Sequence, residues 1–192
     1  YELTEALDRE NHYMIANMLS VRRSLEHANE KRREMEKANE RLLEKSETDP
    51  LTRLANRFRL NDYLERAFER TRDDHRAFAV EILDIDYFKE YNDNYGHQAG
   101  DACIVAIADE LRKMQSHGTF CARYGGDEFI IIYEYKTEDE VFSMADSLRE
   151  RILDRRIEHV CSKALPVVTI SQGICFDVAP EGSRSWDFLH AA

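Results

Sequence analysis

The polar and apolar positions divide the chain into two parts with different periods. From Leu3 to Ser46 there is neither Gly nor Pro. Within that stretch Leu7, Asn11, Met14, Met18, Val21, Leu25, Ala28, Arg32, Met35, Asn39 and Leu42 follow one another at alternating steps of four and three. Eight of these eleven are apolar, and a mean step of 3.5 predicts the seam of a coiled coil. With Leu7, Met14, Val21, Ala28, Met35 and Leu42 at d, the polar Asn11, Arg32 and Asn39 fall at a. Polar a positions cost stability but fix register and favour two parallel strands. A helix lying on its own domain would carry a wider apolar stripe. Residues 1–46 are therefore expected to be a coiled-coil dimerisation and signalling helix. Its weak packing around Ala28, Arg32 and Asn39 is a place where register could shift and pass on an upstream signal.

After Ser46 the pattern breaks up. Pro50 cannot continue a helix and restricts Asp49 before it. A helix is predicted over Asn56–Thr71, with Phe58, Leu60, Tyr63, Leu64, Ala67 and Phe68 inward. A strand follows over Arg76–Ile85, then a short helix over Tyr87–Asn94 closed by Gly96, and a helix over Asp101–Gln115. Short β-rich runs over Thr119–Arg123 and Glu128–Glu134 flank Tyr124-Gly125-Gly126-Asp127, a hairpin signal. An amphipathic helix over Glu138–Ile157 and a strand over Pro166–Asp177 complete the order β-α-α-β-β-α-β after the opening helix. This mixture of hairpin and crossover connections predicts an α+β sheet with helices on one face.

Composition narrows the function. The 192 residues carry 27 basic and 38 acidic side chains, a formal net charge of −11. Residues 1–46 hold nine basic and ten acidic side chains, so residues 47–192 hold 18 against 28, a net −10. That balance argues against a partner held through nucleic-acid phosphates alone. A domain this acidic would need divalent metal to bind a polyphosphate. The longest apolar run, at Ala102–Ala108, is too short to span a bilayer, and no leader-like segment opens the chain. Because the chain starts at Tyr1, it is expected to be a fragment lacking its upstream sensor, with a cytoplasmic location. Cys103, Cys121, Cys161 and Cys175 are widely spaced and read as buried, reduced thiols.

The candidate chemistry lies in two acidic spots. Asp84 and Asp86 close one strand, where alternation puts them on one face, and Asp127 and Glu128 sit at the hairpin tip. Hard oxygen donors crowded at loop tips suit Mg²⁺, which commonly bridges substrate phosphates. Between them lie Lys89, Asn92, Asp93, Gly96, His97, Gly100 and Asp101. Lys can hold a phosphate as a point charge, and Asn with Asp offers the donors and acceptors that could read guanine. Gly125 and Gly126 leave room for a nucleotide at the backbone.

Arg123-Tyr124-Gly125-Gly126-Asp127-Glu128-Phe129 resembles the signature of the GGDEF family, the diguanylate cyclases. Asp49-Pro50-Leu51-Thr52-Arg53-Leu54-Ala55-Asn56-Arg57 resembles the family's opening DxLTxLxNR. Asp84-Ile85-Asp86-Tyr87-Phe88-Lys89, with Asn92-Asp93, Gly96-His97 and Gly100-Asp101, resembles its second block. Val168–Gly173 resembles the late strand, usually S-x-G. The resemblance implies a fold like the palm of adenylyl cyclases and polymerases, with a mainly antiparallel central sheet, over residues 47–192. It implies that two subunits each present one GTP, that each 3′-hydroxyl attacks the other's α-phosphate, and that cyclic di-GMP and two pyrophosphates result. The implied metal ligands are Asp84, the Ile85 carbonyl, Asp127 and Glu128, holding two Mg²⁺ or Mn²⁺ per site. Glu128 either ligates or assists deprotonation of the 3′-hydroxyl. Catalytic roles fall to Asp127, Glu128 and Lys89. Asn92 and Asp101 would bind guanine, the Tyr87 and Phe88 amides with Lys89 would hold phosphates, and Gly125 and Gly126 would admit the nucleotide. Asp49 and Arg57 are expected to couple the stalk's end to the domain. Asp101 favours GTP over ATP, because a carboxylate facing adenine N1 sets acceptor against acceptor, a mismatch of about 1–3 kcal/mol.

Two other readings remain open on these residues: a degenerate GGDEF module that binds GTP or cyclic di-GMP without turnover, and a dimerising scaffold. The sequence also departs from the family's pattern twice. The family goes on beyond Ala192 into a helix and a GRN-like segment supplying a Lys and an Arg for the triphosphate. Where many members carry an RxxD product-inhibition site, Ser116-His117-Gly118-Thr119 stands instead, with neither the Arg nor the Asp. Added cyclic di-GMP is therefore expected to leave turnover free of inhibition at that site. Steady-state rates at several GTP concentrations check this, and inhibition that GTP cannot reverse would overturn it.

Overall fold

The computed structural model describes Met14, Met18, residues 21–37, Asn39, Leu42, and residues 47–178 and 182–192. Contacts divide the chain into two compact units, Tyr1–Ser46 and Glu47–Ala192. In the first, residues 21–37 form a helix (α1). The described seam side chains Met14, Met18, Val21, Leu25, Met35 and Leu42 are all exposed, by between 58% and 72%. Leu7 and Asn11 lie outside the described residues. Ion pairs Arg22–Glu26 and Arg32–Glu36 run along the helix surface, and solvated pairs of this kind contribute little.

The second unit runs α2 (Arg57–Asp73), β1 (Ala77–Ile85), α3 (Phe88–Tyr95), α4 (His97–Met114), β2 (Thr119–Gly125), β3 (Glu128–Glu134), α5 (Glu138–Asp154), β4 (Ile170–Val178) and α6 (Ser185–Ala191). The sheet order is β2-β3-β1-β4, with antiparallel pairing throughout. β1 is thus bonded on both edges, Leu83 facing Phe129 on one side and Gln172 on the other. α2 starts where Asn56 accepts a hydrogen bond from the Arg59 amide at 3.0 Å. α5 starts with a reciprocal capping box between Thr137 and Glu140, which satisfies two otherwise free amides.

The helices cover both faces of the sheet, not the single face that the element order suggests. Alternation along β1 explains this. Ala79, Leu83 and Ile85 join Phe129, Ile131 and Tyr133 under α3, α4 and α5. Phe78 and Val80 join Ile130 and Ile132 under α2 and α6. A strand buried on both faces reads as a near-continuous apolar run, and Phe78–Leu83 is such a run except for Glu81. The other boundaries shift modestly. α4 begins four residues before the predicted Asp101, because Gly100 lies inside the helix where Asn92 needs the space of a missing Cβ. The thiols divide as well: Cys103 and Cys121 are buried and pushed up to about 12 by burial. Cys161, however, is exposed and Cys175 half-buried, so the expectation of four buried thiols holds for two.

Glu81 is fully buried in β1. Its carboxylate accepts from the Tyr133 hydroxyl and from Gln172 Nε2, each at 2.6 Å. Burial pushes its pKa up, and those two hydrogen bonds offset only part of the rise. Between the ordinary value of 4.5 and this raised one, the folded protein holds a proton that the unfolded chain has released. Stability must therefore fall as pH rises through that interval. Denaturant titrations across pH should show this decline above 4.5, and Glu81→Gln should flatten it. A Glu81→Gln curve parallel to the wild type would contradict the assignment.

Candidate active site

Register alone brings the first two carboxylates together. Asp84, near the end of β1, is paired directly with Glu128 at the start of β3, and residues so paired are about 4.5–5.5 Å apart at Cβ. Asp127 sits in the turn just before Glu128. Burial first, and then the negative charges of Asp127, Glu128 and Asp86, hold the Asp84 carboxyl above its ordinary value. Among the described residues none of Asp84, Asp127 and Glu128 has a basic partner within ion-pair distance. A group of mutually repelling hard oxygens without a cationic neighbour fits a divalent cation in its donor chemistry. Among the described residues, however, no three His, Cys, Asp or Glu side chains are drawn together as a set that could hold a metal ion.

Asp86 departs from the sequence expectation. β1 ends at Ile85, and the Asp86 carboxylate accepts hydrogen bonds from the hydroxyls of Thr169 and Ser171. Its amide donates to the Thr169 carbonyl at 3.0 Å. Asp86 therefore fastens the strand end to the start of β4 and is not a free member of an acidic pair.

The next residue turns sharply. Tyr87 has φ 55° and ψ 34°, the left-handed region that a bulky side chain rarely adopts. It is the N-cap of α3, and no side chain caps this helix. The first amides of α3, at Phe88 and its neighbours, therefore lack the side-chain acceptor that most helix starts possess. Such a terminus attracts anions. Lys89, exposed on the first turn, adds a charge. Asn92 lies one turn further on, packed against Gly100 so closely that a Cβ there would meet Asn92 Oδ1 at 1.9 Å. Among the described residues the buried Asn92 Oδ1 has no hydrogen-bond partner. Asp101, adjacent to Gly100 on α4, is exposed. The predicted base-reading pair is thus on two helices that touch at Gly100.

The hairpin turn is tighter than the four residues flanked by β-rich runs. β2 extends to Gly125, with a bulge between Arg123 and Gly125, leaving Gly126 and Asp127 as the loop. Gly126 takes φ 54°, and neither Gly125 nor Gly126 has an atom within 4 Å of where a Cβ would stand. The space over the turn is open. The turn is held from behind by Arg123, whose Nε and Nη2 donate to the Gly126 carbonyl at 3.0 and 2.8 Å. Its Nη1 pairs with Asp49 at 3.1 Å. Asp49 also accepts from the Thr52 amide and hydroxyl at 2.8 and 2.7 Å. Burial alone would raise Asp49, but these bonds and the Arg123 charge outweigh it and hold the carboxyl below its ordinary range. The Arg57 guanidinium lies 4.4 Å from the centre of the Tyr124 ring, a cation–π contact. Both ends of the Asp49–Arg57 segment therefore grip the hairpin.

Sequence reasoning missed α6. A cavity of about 180 Å³ connects Glu128, Tyr124, Ile82 and Ile130 with Trp186, Leu189 and His190. The only sequence signals for this helix were Trp186, Phe188 and Leu189, too short a run to give a period.

The family model described as "Diguanylate cyclase, GGDEF domain" matches residues 46–192. The chain belongs to the GGDEF family. It is 39% identical over 104 residues to the bifunctional diguanylate cyclase/cyclic di-GMP phosphodiesterase MucR of Pseudomonas aeruginosa, covering 54% of this chain and 15% of that protein. It is 30% identical over 151 residues to the diguanylate cyclase DgcP of Escherichia coli, covering 79% and 43%. The chain thus spans less than half the length of these curated relatives. Among solved structures it resembles the coiled coil and GGDEF domain of DgcB from Caulobacter crescentus in complex with c-di-GMP, with TM-score 0.69, 27% identity and 89% of each chain covered. It also resembles the diguanylate cyclase SiaD of Pseudomonas aeruginosa in complex with its activator SiaC, with TM-score 0.66, 27% identity, and 100% of this chain and 71% of that one covered. The antiparallel sheet with helices is the GGDEF fold that the motifs imply. No helix among the described residues is long and apolar enough to cross a membrane.

Because Asp49 and Arg123 are each less than a fifth exposed, the pair should be worth more than a surface one. Asp49→Ala should lower unfolding free energy by about 1–3 kcal/mol, the cost of stranding a partly buried charge. A double-mutant cycle with Arg123→Ala, measured by denaturant unfolding, should show clear coupling between the two. Simple additivity would show that the pair does not hold the turn.

Proposed function

We propose that this GGDEF domain is a diguanylate cyclase, condensing two GTP into cyclic di-GMP and two pyrophosphates across a homodimer. The observation that carries this reading is the opposition of Asp84 and Glu128 across β1 and β3, with Asp127 beside them and, among the described residues, no basic group paired with any of the three. Asp84, the Ile85 carbonyl and Asp127 would hold divalent metal, Mg²⁺ or Mn²⁺, with Glu128 as a further ligand or as the group that takes up the 3′-hydroxyl proton. When bound, two such ions would offset the charge that builds on the phosphoryl oxygens and on the attacking and leaving oxygens. The amides of Tyr87 and Phe88 and the Lys89 ammonium bind the phosphates. Asn92 donates to and accepts from the guanine edge, the Asp101 carboxylate accepts from it, and the open turn at Gly125 and Gly126 lets the α-phosphate approach the backbone.

One domain offers one such site, whereas closing a cyclic dinucleotide needs two GTP face to face. The exposed seam of the first unit supports a second copy of the chain as the partner, since an apolar stripe at 3.5-residue spacing is buried by a matching helix. In this reading residues 1–46 are the dimerising and signalling element and residues 47–192 the catalytic one. An upstream sensor acts through the coiled coil, and the substrate pool is cytoplasmic GTP. The named activities of the relatives support the enzyme class. The intact Asp84, Asp127 and Glu128 favour turnover over a binding-only module.

The test is GTP with Mg²⁺ at several protein concentrations, with the products separated by ion-pair chromatography. It is run on this chain and on one extended through the helix and GRN-like segment that the resemblance implies. Cyclic di-GMP should appear with a rate steeper than first order in protein and fall to background in Asp127→Ala. GTP should be preferred over ATP by roughly ten- to a hundredfold. If the extended protein is silent yet binds GTP, the binding module replaces the enzyme.

A further inference from the structure

Tyr87 occupies a conformation that a bulky residue keeps only where its surroundings over-determine it. The surroundings that do so come from the segment after α5. His159 is fully buried, and its Nε2 lies 3.1 Å from the Tyr87 carbonyl. A carbonyl can only accept, so the proton of this contact is on Nε2. Among the described residues the buried Nδ1 has no partner, which leaves the Tyr87 bond as the polar contact of the ring there. The ring stands edge-on to Tyr91, centroids 5.1 Å apart. Its backbone is fixed in turn, the His159 amide donating to the Pro166 carbonyl and the Val160 amide to the Tyr95 hydroxyl. The Tyr87 carbonyl also accepts the first helical bond of α3, from the Tyr91 amide at 3.0 Å. Its two lone pairs are therefore both used, one by the helix and one by His159.

We infer that His159 is a positioning residue for the phosphate site: by gripping the Tyr87 carbonyl it holds the left-handed turn that aims the Tyr87 and Phe88 amides outward. This rests on the reading of those amides as phosphate ligands. It adds a residue some 70 positions away in sequence, on a different segment, that touches no substrate. The chemistry is specific. A donor at the distance of Nε2 is needed, and apolar filling of the same space would restore packing without restoring the grip. Since a peptide unit is rigid, rotation of the Tyr87 carbonyl turns the Phe88 amide with it.

The test compares two ligands by NMR titration in Mg²⁺: 3′-deoxy-GTP, which has no attacking hydroxyl and so cannot turn over, and guanosine, which has no phosphate. His159→Ala should weaken 3′-deoxy-GTP about tenfold, the loss of one charge-assisted hydrogen bond, and leave guanosine within about twofold. His159→Gln carries a donor as many bonds from Cα as Nε2 and should keep 3′-deoxy-GTP within about threefold of wild type. Glycine adopts the left-handed region without steric cost, so adding Tyr87→Gly to His159→Ala should recover most of the lost affinity. Equal weakening of both ligands, or failure of His159→Gln and Tyr87→Gly to recover binding, would overturn the inference. If His159→Ala does not fold, His159→Gln against the one-bond-shorter His159→Asn decides: only Asn should weaken 3′-deoxy-GTP selectively, and equal behaviour overturns the inference. Wild-type protein that binds guanosine but not 3′-deoxy-GTP would remove the phosphate site itself, and the role of His159 with it.

Discussion

Carboxylates gathered at one end of a sheet repel one another, and the fold has to hold them there. The means is the double pairing of β1. With β3 on one edge and β4 on the other, the position of Asp84 is fixed by hydrogen bonds on both sides and by apolar packing on both faces. Asp84 cannot retreat from Glu128 without slipping register, and a slip of one residue would turn Ala79, Leu83 and Ile85 out of their core. The repulsion is thus balanced by burial elsewhere, and it adds to the larger effect of Asp84's own burial in raising the proton affinity of that carboxyl. Asp86, two residues on, faces hydroxyls instead, accepting hydrogen bonds from Thr169 and Ser171.

The two backbone turns at the site are each restrained from the rear. Gly126 has its carbonyl pulled back by Arg123, which is itself anchored on Asp49. Tyr87 has its carbonyl pulled back by His159. In both cases the polar side chain binds the carbonyl, leaving the amide side of the turn outward. A loop held in this way has little conformational entropy left to lose when an anion arrives. Asp49 is the third residue of the second unit, so the element entering the domain and the turn bearing Asp127 are separated by a single guanidinium.

How much of this was legible in the sequence depended on the range of the interactions. The hairpin, β1, α3 and the acidic spots came from local signals: paired glycines, alternation, and charge at strand ends. Asp84 facing Glu128 follows from the register, which needs the hairpin and β1 to be adjacent, and adjacency is not a local property. The helices on both faces were missed because α6 is only seven residues long, too short for a period. Without it α2 has no visible companion on its side. α4 was started late because Gly100 reads as a breaker, whereas its bare Cα is what lets Asn92 pack between two helices. His159 gave no signal at all: a lone histidine in a polar loop shows its partner only once the segment after α5 has been folded against α3.

The charge distribution gives these restraints a purpose. Residues 47–192 carry a net −10, and the centre proposed to receive a triphosphate is itself anionic. Long-range attraction therefore cannot bring the ligand in, and nearly all of the favourable electrostatics must come from short-range groups of fixed direction. Among the described residues, the groups proposed for this beside bound cations are the exposed Lys89 ammonium and the amides at the start of α3. A dipole acts only while it points at the charge, and its effect falls off within the first turn of the helix. A flexible start to α3 would lose most of that attraction, whereas a misaligned ammonium on a long stem can reorient at little cost. The strain at Tyr87 and the histidine buried behind it are what an acidic site requires when its attraction for phosphate depends on backbone direction more than on net charge.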